Sequence, residues 1–159
     1  MPDQETQYEQ PEWDQFVQTF CQVASLQGRL AYCLMSVHAV NPAILQIFTD
    51  YDIYNILFWN MIYGITVMIT ARPALRPLMP LHRLTFGILA SLSFNHSTLL
   101  WYRWLSHRFE NNIMLLTFLG YLSGRIMIVH LLAFLYHIDT RCNDTLRPRR
   151  DPAFESMYM

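Results

Sequence analysis

Lysine is absent from this 159-residue chain: all 11 basic residues are arginine. No internal side chain can therefore be acetylated or ubiquitinated at an amine. Charge of either sign is scarce, at 14% of residues against 53% hydrophobic, and the net charge of −1 leaves no global field to attract nucleic acid. Cys21, Cys33 and Cys142 are an odd set without a CxxC. They imply neither a disulfide framework nor a zinc site, and no metal-ligand spacing occurs elsewhere. Walker, GxGxxG, HExxH and GxSxG motifs are missing. The apolar runs contain no carboxylate, so no acid stands ready to orient His96 beside Ser93 and Ser97 as a catalytic base. No enzyme is expected.

Long apolar runs fill the space those absences leave. Ile113 to Ile138 holds 26 residues and one formal charge, Arg125. As a helix it would cross a hydrocarbon layer of about 30 Å with room to tilt. Arg125 costs about 2.5–3.5 kcal/mol at mid-depth, while the surrounding 14 Leu, Ile, Val and Phe residues return about 4–8 kcal/mol in total. Insertion wins and leaves an arginine in need of a partner. Residues 53–71 and 84–102 are uncharged spans, flanked by Tyr51, Tyr54 and Trp59 and by Trp101, Tyr102 and Trp104 at interface positions.

Residues 16–40 can be read in two ways. Gln18, Gln22, Ser25, Arg29 and Ser36 recur at helical spacing, with Phe16, Phe20, Val23, Leu30, Leu34 and Val37 on the other side. This is either a spanning helix with its polar stripe turned into a bundle or an amphipathic helix lying on the membrane. The expected fold is therefore all-α: a polytopic integral membrane protein with a four-helix transmembrane bundle, or three spans plus an amphipathic N-terminal helix. The helical domain covers 16–138, with spans near 16–40, 53–71, 84–102 and 113–138. Residues 1–15 carry acids and no base, unlike a secretory signal or a mitochondrial presequence, and read as a disordered acidic tail. Pro73, Pro77 and Pro80 punctuate the loop between the second and third spans.

Four spans put the N-terminus, the 71–83 loop and the arginine-rich 139–159 tail on one side. That side holds Arg72, Arg76, Arg83, Arg141, Arg147, Arg149 and Arg150; the other holds Arg103 and Arg108. The positive-inside rule makes the richer side cytosolic. The membrane would be an endomembrane or the plasma membrane, and the tail sequon Asn143-Asp144-Thr145 would go unused. Cys142, just beyond the last span, suits S-palmitoylation.

Counted from the cytosolic end, Arg29, Asn60, Asn95, His96 and Arg125 fall about 17–20 Å deep. Such a midplane polar level either fixes register by interhelical hydrogen bonds or binds an anionic ligand, a haem propionate or a partner's carboxylate. Gly120 and Gly124 form a GxxxG beside Arg125, a close-packing face for the chain's own bundle or for a homo-oligomer. His96 and His130 are near enough in depth for a bis-histidine haem, though a histidine bonded inside the bundle serves equally.

Two partial resemblances bear on function. His38-Ala39 with the later Gln46-Ile47-Phe48-Thr49-Asp50-Tyr51 resembles the haem-histidine and Asp-Tyr signature of the small membrane anchor of succinate dehydrogenase. Arg76-Pro77-Leu78-Met79-Pro80 with Ser93 and His96 resembles the start of that enzyme's other anchor. The resemblance implies haem b with His38 as ligand, Tyr51 and Ser93 beside a quinone, and a mitochondrial inner membrane. The sequence departs from that pattern at Pro42, at Ser97 in place of arginine, and by one extra residue between His38 and Asp50. The general plan is also similar to a family of short four-span ciliary membrane proteins, through chain length, His82-Arg83, Arg125 and Asp151-Pro152-x-Phe154. Neither resemblance assigns a family. The expected role is a non-enzymatic small subunit or assembly factor that meets partner membrane proteins through its helices, without a cofactor. The alternative is a haem- or quinone-binding respiratory anchor.

Overall fold

A computed structural model describes residues 12–47 and 53–146, with side chains as far as 142. The described residues are all-α: α1 (Glu12–His38), α2 (Ala43–Gln46), α3 (Ile53–Thr70), α4 (Pro80–Arg108) and α5 (Ile113–Leu146), with a 3-10 turn at Pro73–Leu75 and no strand. The expected all-helical class holds.

Local chemistry sets the ends. Glu12 and Asp14 occupy the first turn of α1, where the helix dipole favours acids. Asn41 closes that helix by donating its N–H to the Val37 carbonyl at 2.9 Å before Pro42 breaks the run. Arg72 is extended, with φ −69° and ψ 138°, as a residue before proline must be. Pro73 and Pro80 each take a first helical position, where a missing N–H costs nothing. Because Pro80 starts α4, that helix begins four residues before the expected span and runs on to Arg108, through the buried Tyr102 and Leu105. Helix α5 continues past the expected Ile138 to Leu146.

The four long helices alternate in direction. Gly28 of α1 packs directly on Gly64 of α3, and the Ser91 hydroxyl of α4 donates to the Ile62 carbonyl of α3 at 3.0 Å. At its other end α1 lies against α5, where Gly120 faces Val40 and Gly124 faces Ser36. The start of α1, the α3–α4 connection and the far end of α5 therefore share one end of the bundle. Arg72 and Asp139 pair there at 3.2 Å.

The core is mainly apolar but also encloses polar side chains, while many large apolar side chains lie outside it. Ser36, Ser91 and Asn95 are at most 1% exposed, together with Tyr32, Met35 and Ile65. Phe16, Phe20, Val23, Leu30 and Leu34 of α1 all face outward, as do Leu89 and Leu92 of α4 and Phe118, Ile126, Val129 and Phe134 of α5. Among the described residues, two helical stretches, Ile53–Thr70 and Ile113–Cys142, are long and apolar enough to cross a membrane. Helices α1 and α4 are long but more polar.

Candidate functional site

Equal depth along the helices does not translate into one cluster, because each helix also turns its residues by about 100° per position. Asn60 accepts a hydrogen bond from Gln27 of α1 at 2.7 Å and donates to its own Ile56 carbonyl at 2.8 Å. Asn95 points into the core and donates to the Ser91 hydroxyl at 3.2 Å. Its Oδ1 is buried without a hydrogen-bond partner among the described residues. Its neighbour His96, one step round the helix, is exposed. Arg29 is half-buried and donates to the Ser25 carbonyl at 3.3 Å. Arg125 is exposed on α5, with the Cys33 thiol beside its guanidinium. Among the described residues, the Gln27–Asn60 bond and the Cys33–Arg125 contact tie two of these five to α1, but through separate side chains and not in one cluster.

The GxxxG face meets α1. A Cβ on Gly120 would sit 3.0 Å from the Ser36 carbonyl oxygen, and one on Gly124 would sit 2.6 Å from Ser36 Cβ and 2.9 Å from the Tyr102 hydroxyl. Gly124 thus gives room for a small polar knot in which the Tyr102 and Tyr32 hydroxyls lie 3.5 Å apart.

The three candidate haem histidines occupy different surroundings. His38 lies at the end of α1 with its ring 6.2 Å from that of Tyr54, and its Nδ1 is buried without a partner among the described residues. His96 lines a cleft of about 650 Å³ with Tyr54, Leu99, Arg103, His107 and Glu110. His130 is exposed on α5, its Nδ1 2.8 Å from the Ile126 carbonyl. No group of three or more metal-ligating residues occurs among the described residues. Asp50 and Tyr51 of the anchor resemblance lie outside the described residues. So do most of the acidic N-terminal tail, Arg147, Arg149, Arg150 and the side chains of the Asn143–Thr145 sequon. Cys142 is half-buried on the last described turns of α5.

A second cleft, of about 790 Å³, opens at the opposite end. The polar stripe of α1 (Gln18, Gln22, Ser25, Arg29) forms one wall, and Arg72, Arg76 and Arg83 lie on its rim. Sequence reasoning placed Arg72, Arg76 and Arg83 on one side of the membrane but did not connect them with Arg29. It also missed the Gly28–Gly64 contact and the Arg72–Asp139 pair. Ala24, Gly28 and Ala31, small residues at helical spacing on α1, were the available signal for the first of these. Comparisons with protein-family models, with curated proteins and with solved structures find no match for this chain.

Proposed function

We propose that this chain is a polytopic membrane protein whose four long helices all cross the bilayer, with its C-terminus in the cytosol, and that it serves as a non-catalytic subunit or assembly factor of a larger membrane complex. The outward apolar side chains of α1, α4 and α5 support placing these helices in lipid, alongside the two helical stretches apolar enough to cross on composition alone. Arg72, Arg76, Arg83 and Arg141 lie toward the end shared by Asp139 and the start of α1, whereas Arg103 and Arg108 lie toward the other, which supports a cytosolic tail.

The observation that carries the partner reading is the outward position of Arg125. It lies about 18 Å along α5 from Ile113, among exposed Tyr121, Leu122, Ile126 and Val129. A charge there, with a thiol as its neighbour, costs about 2.5–3.5 kcal/mol against lipid. A carboxylate on a partner helix removes that penalty. The test is co-purification of a tagged full-length chain in mild detergent. Arg125→Leu should lose partners that Arg108→Leu keeps; equal retention by both variants sinks the partner-carboxylate reading.

A second reading, a haem- or quinone-binding anchor of the succinate dehydrogenase kind, is favoured by the orphaned Nδ1 of His38 and by its neighbour Tyr54 on the His96 cleft. A reduced-minus-oxidised visible spectrum of the same purified sample decides it. A haem band supports the anchor, and a colourless sample with stoichiometric membrane partners supports the structural subunit.

A further inference from the structure

We propose that the arginine-rimmed cleft between α1 and the α3–α4 connection binds the phosphomonoester headgroup of an anionic lipid. This inference rests on the membrane reading above but is independent of the partner at Arg125.

The chain reverses from α3 to α4 within residues 71–79, and the reversal gathers three arginines on one rim. Arg72 donates to Asp139 at 3.2 Å, and Arg83 donates through its Nε to the Thr70 carbonyl. Both are thereby held in place with other guanidinium nitrogens still available. Arg76 is exposed and makes no side-chain hydrogen bond or ion pair among the described residues. Arg29 enters from the α1 wall, where its Nε is tethered to the Ser25 carbonyl and its terminal nitrogens are uncommitted.

Two carboxylates, Asp14 on the wall and Asp139 on Arg72, stand against these four guanidinium groups. The cleft therefore carries +2, which complements a phosphomonoester approaching −2. Planar guanidinium forks match the several oxygens of a phosphate better than they match a single carboxylate. The lining also includes the apolar side chains of Val17, Met68 and Leu132. A free phosphate has no use for those side chains, whereas the upper acyl chain of a lipid does. The cleft opens where α3 ends, at the level at which headgroups would meet the bundle, and runs along α1 as far as Arg29.

The test is native mass spectrometry of the full-length chain in detergent, titrated separately with dioctanoyl phosphatidic acid, dioctanoyl phosphatidylcholine and inorganic phosphate. One phosphatidic acid should bind in preference to phosphatidylcholine. Arg29→Gln combined with Arg76→Gln should weaken that binding by about tenfold or more, since each lost contact is charge-assisted. Arg103→Gln with Arg108→Gln, at the other end, should leave it unchanged. Arg76→Gln alone removes no intramolecular bond, so it keeps the test valid if the double variant misfolds. Equal binding of phosphatidylcholine, or wild-type affinity in the Arg76 variants, overturns the site. Inorganic phosphate binding as tightly as phosphatidic acid overturns its assignment to a lipid. A chain that stays dispersed without detergent overturns the membrane reading instead, whichever ligand it binds.

Discussion

Gly28 and Gly64 touch backbone to backbone. A Cβ built on Gly28 would sit 2.5 Å from the Gly64 Cα, and one on Gly64 would strike Gly28 and the Ala24 carbonyl. Neither neighbour is a side chain that can rotate away, so this point sets the distance between α1 and α3. Gly28→Ala should therefore force the helices apart and cost about 1–3 kcal/mol, less the roughly 1 kcal/mol that alanine returns as a better helix former. Gly87→Ala is the control, because its nearest obstacle is the Thr70 methyl. Thermal unfolding in detergent should rank Gly28→Ala below Gly87→Ala; the opposite order would show that α1 rides loosely on α3.

A second outcome follows from the interior chain of bonds in which Asn95 donates to Ser91 and Ser91 donates to the Ile62 carbonyl. Ser91→Ala leaves the Asn95 amide unpaired at both ends in a buried site, at about 1–3 kcal/mol. Adding Asn95→Leu removes the stranded amide altogether, so the double variant should be more stable than Ser91→Ala alone. Additive losses in a double-mutant cycle would show that the amide finds other partners.

The Arg72–Asp139 pair makes a third. Asp139 also accepts the Ala74 N–H at 3.3 Å, so it fastens α5 to the 3-10 turn twice. Asp139→Asn keeps an acceptor but discards the charge. We expect a loss of about 1 kcal/mol, or roughly 2–4 °C in Tm. The same change takes the arginine cleft from +2 to +3 and should tighten phosphatidic acid binding. Weaker binding would mean that Arg72 needs its carboxylate in order to be positioned.

The helices were legible because apolar run length and proline punctuation report on the backbone locally. Pro80 marked a boundary but not its direction: it opens α4 rather than lying in a loop, because a first-turn proline loses no hydrogen bond. The polar stripe of α1 was legible too, and Gln18, Gln22, Ser25 and Arg29 do line one cleft. What could not be read was which way each helix turns about its own axis. Depth counting put Asn95, His96 and Arg125 on one level, yet the first is buried and the other two face outward. Contacts such as Gly28–Gly64 and Arg72–Asp139 join residues tens of positions apart. No periodicity within a single helix encodes such a pairing.

Helix α5 has one mechanical consequence. Its 34 residues make a rod about 51 Å long, roughly 20 Å more than a hydrocarbon layer is thick. Seven of those residues, about 10 Å of helix, lie beyond Asp139, which holds the 3-10 turn. On the membrane placement proposed above, with a partner at Arg125, such a rod would work as a lever. A small change of tilt inside the bilayer swings the projecting turns sideways through several ångströms. Whatever engages the tail would thus sense how α5 is seated among its partners, without contacting them.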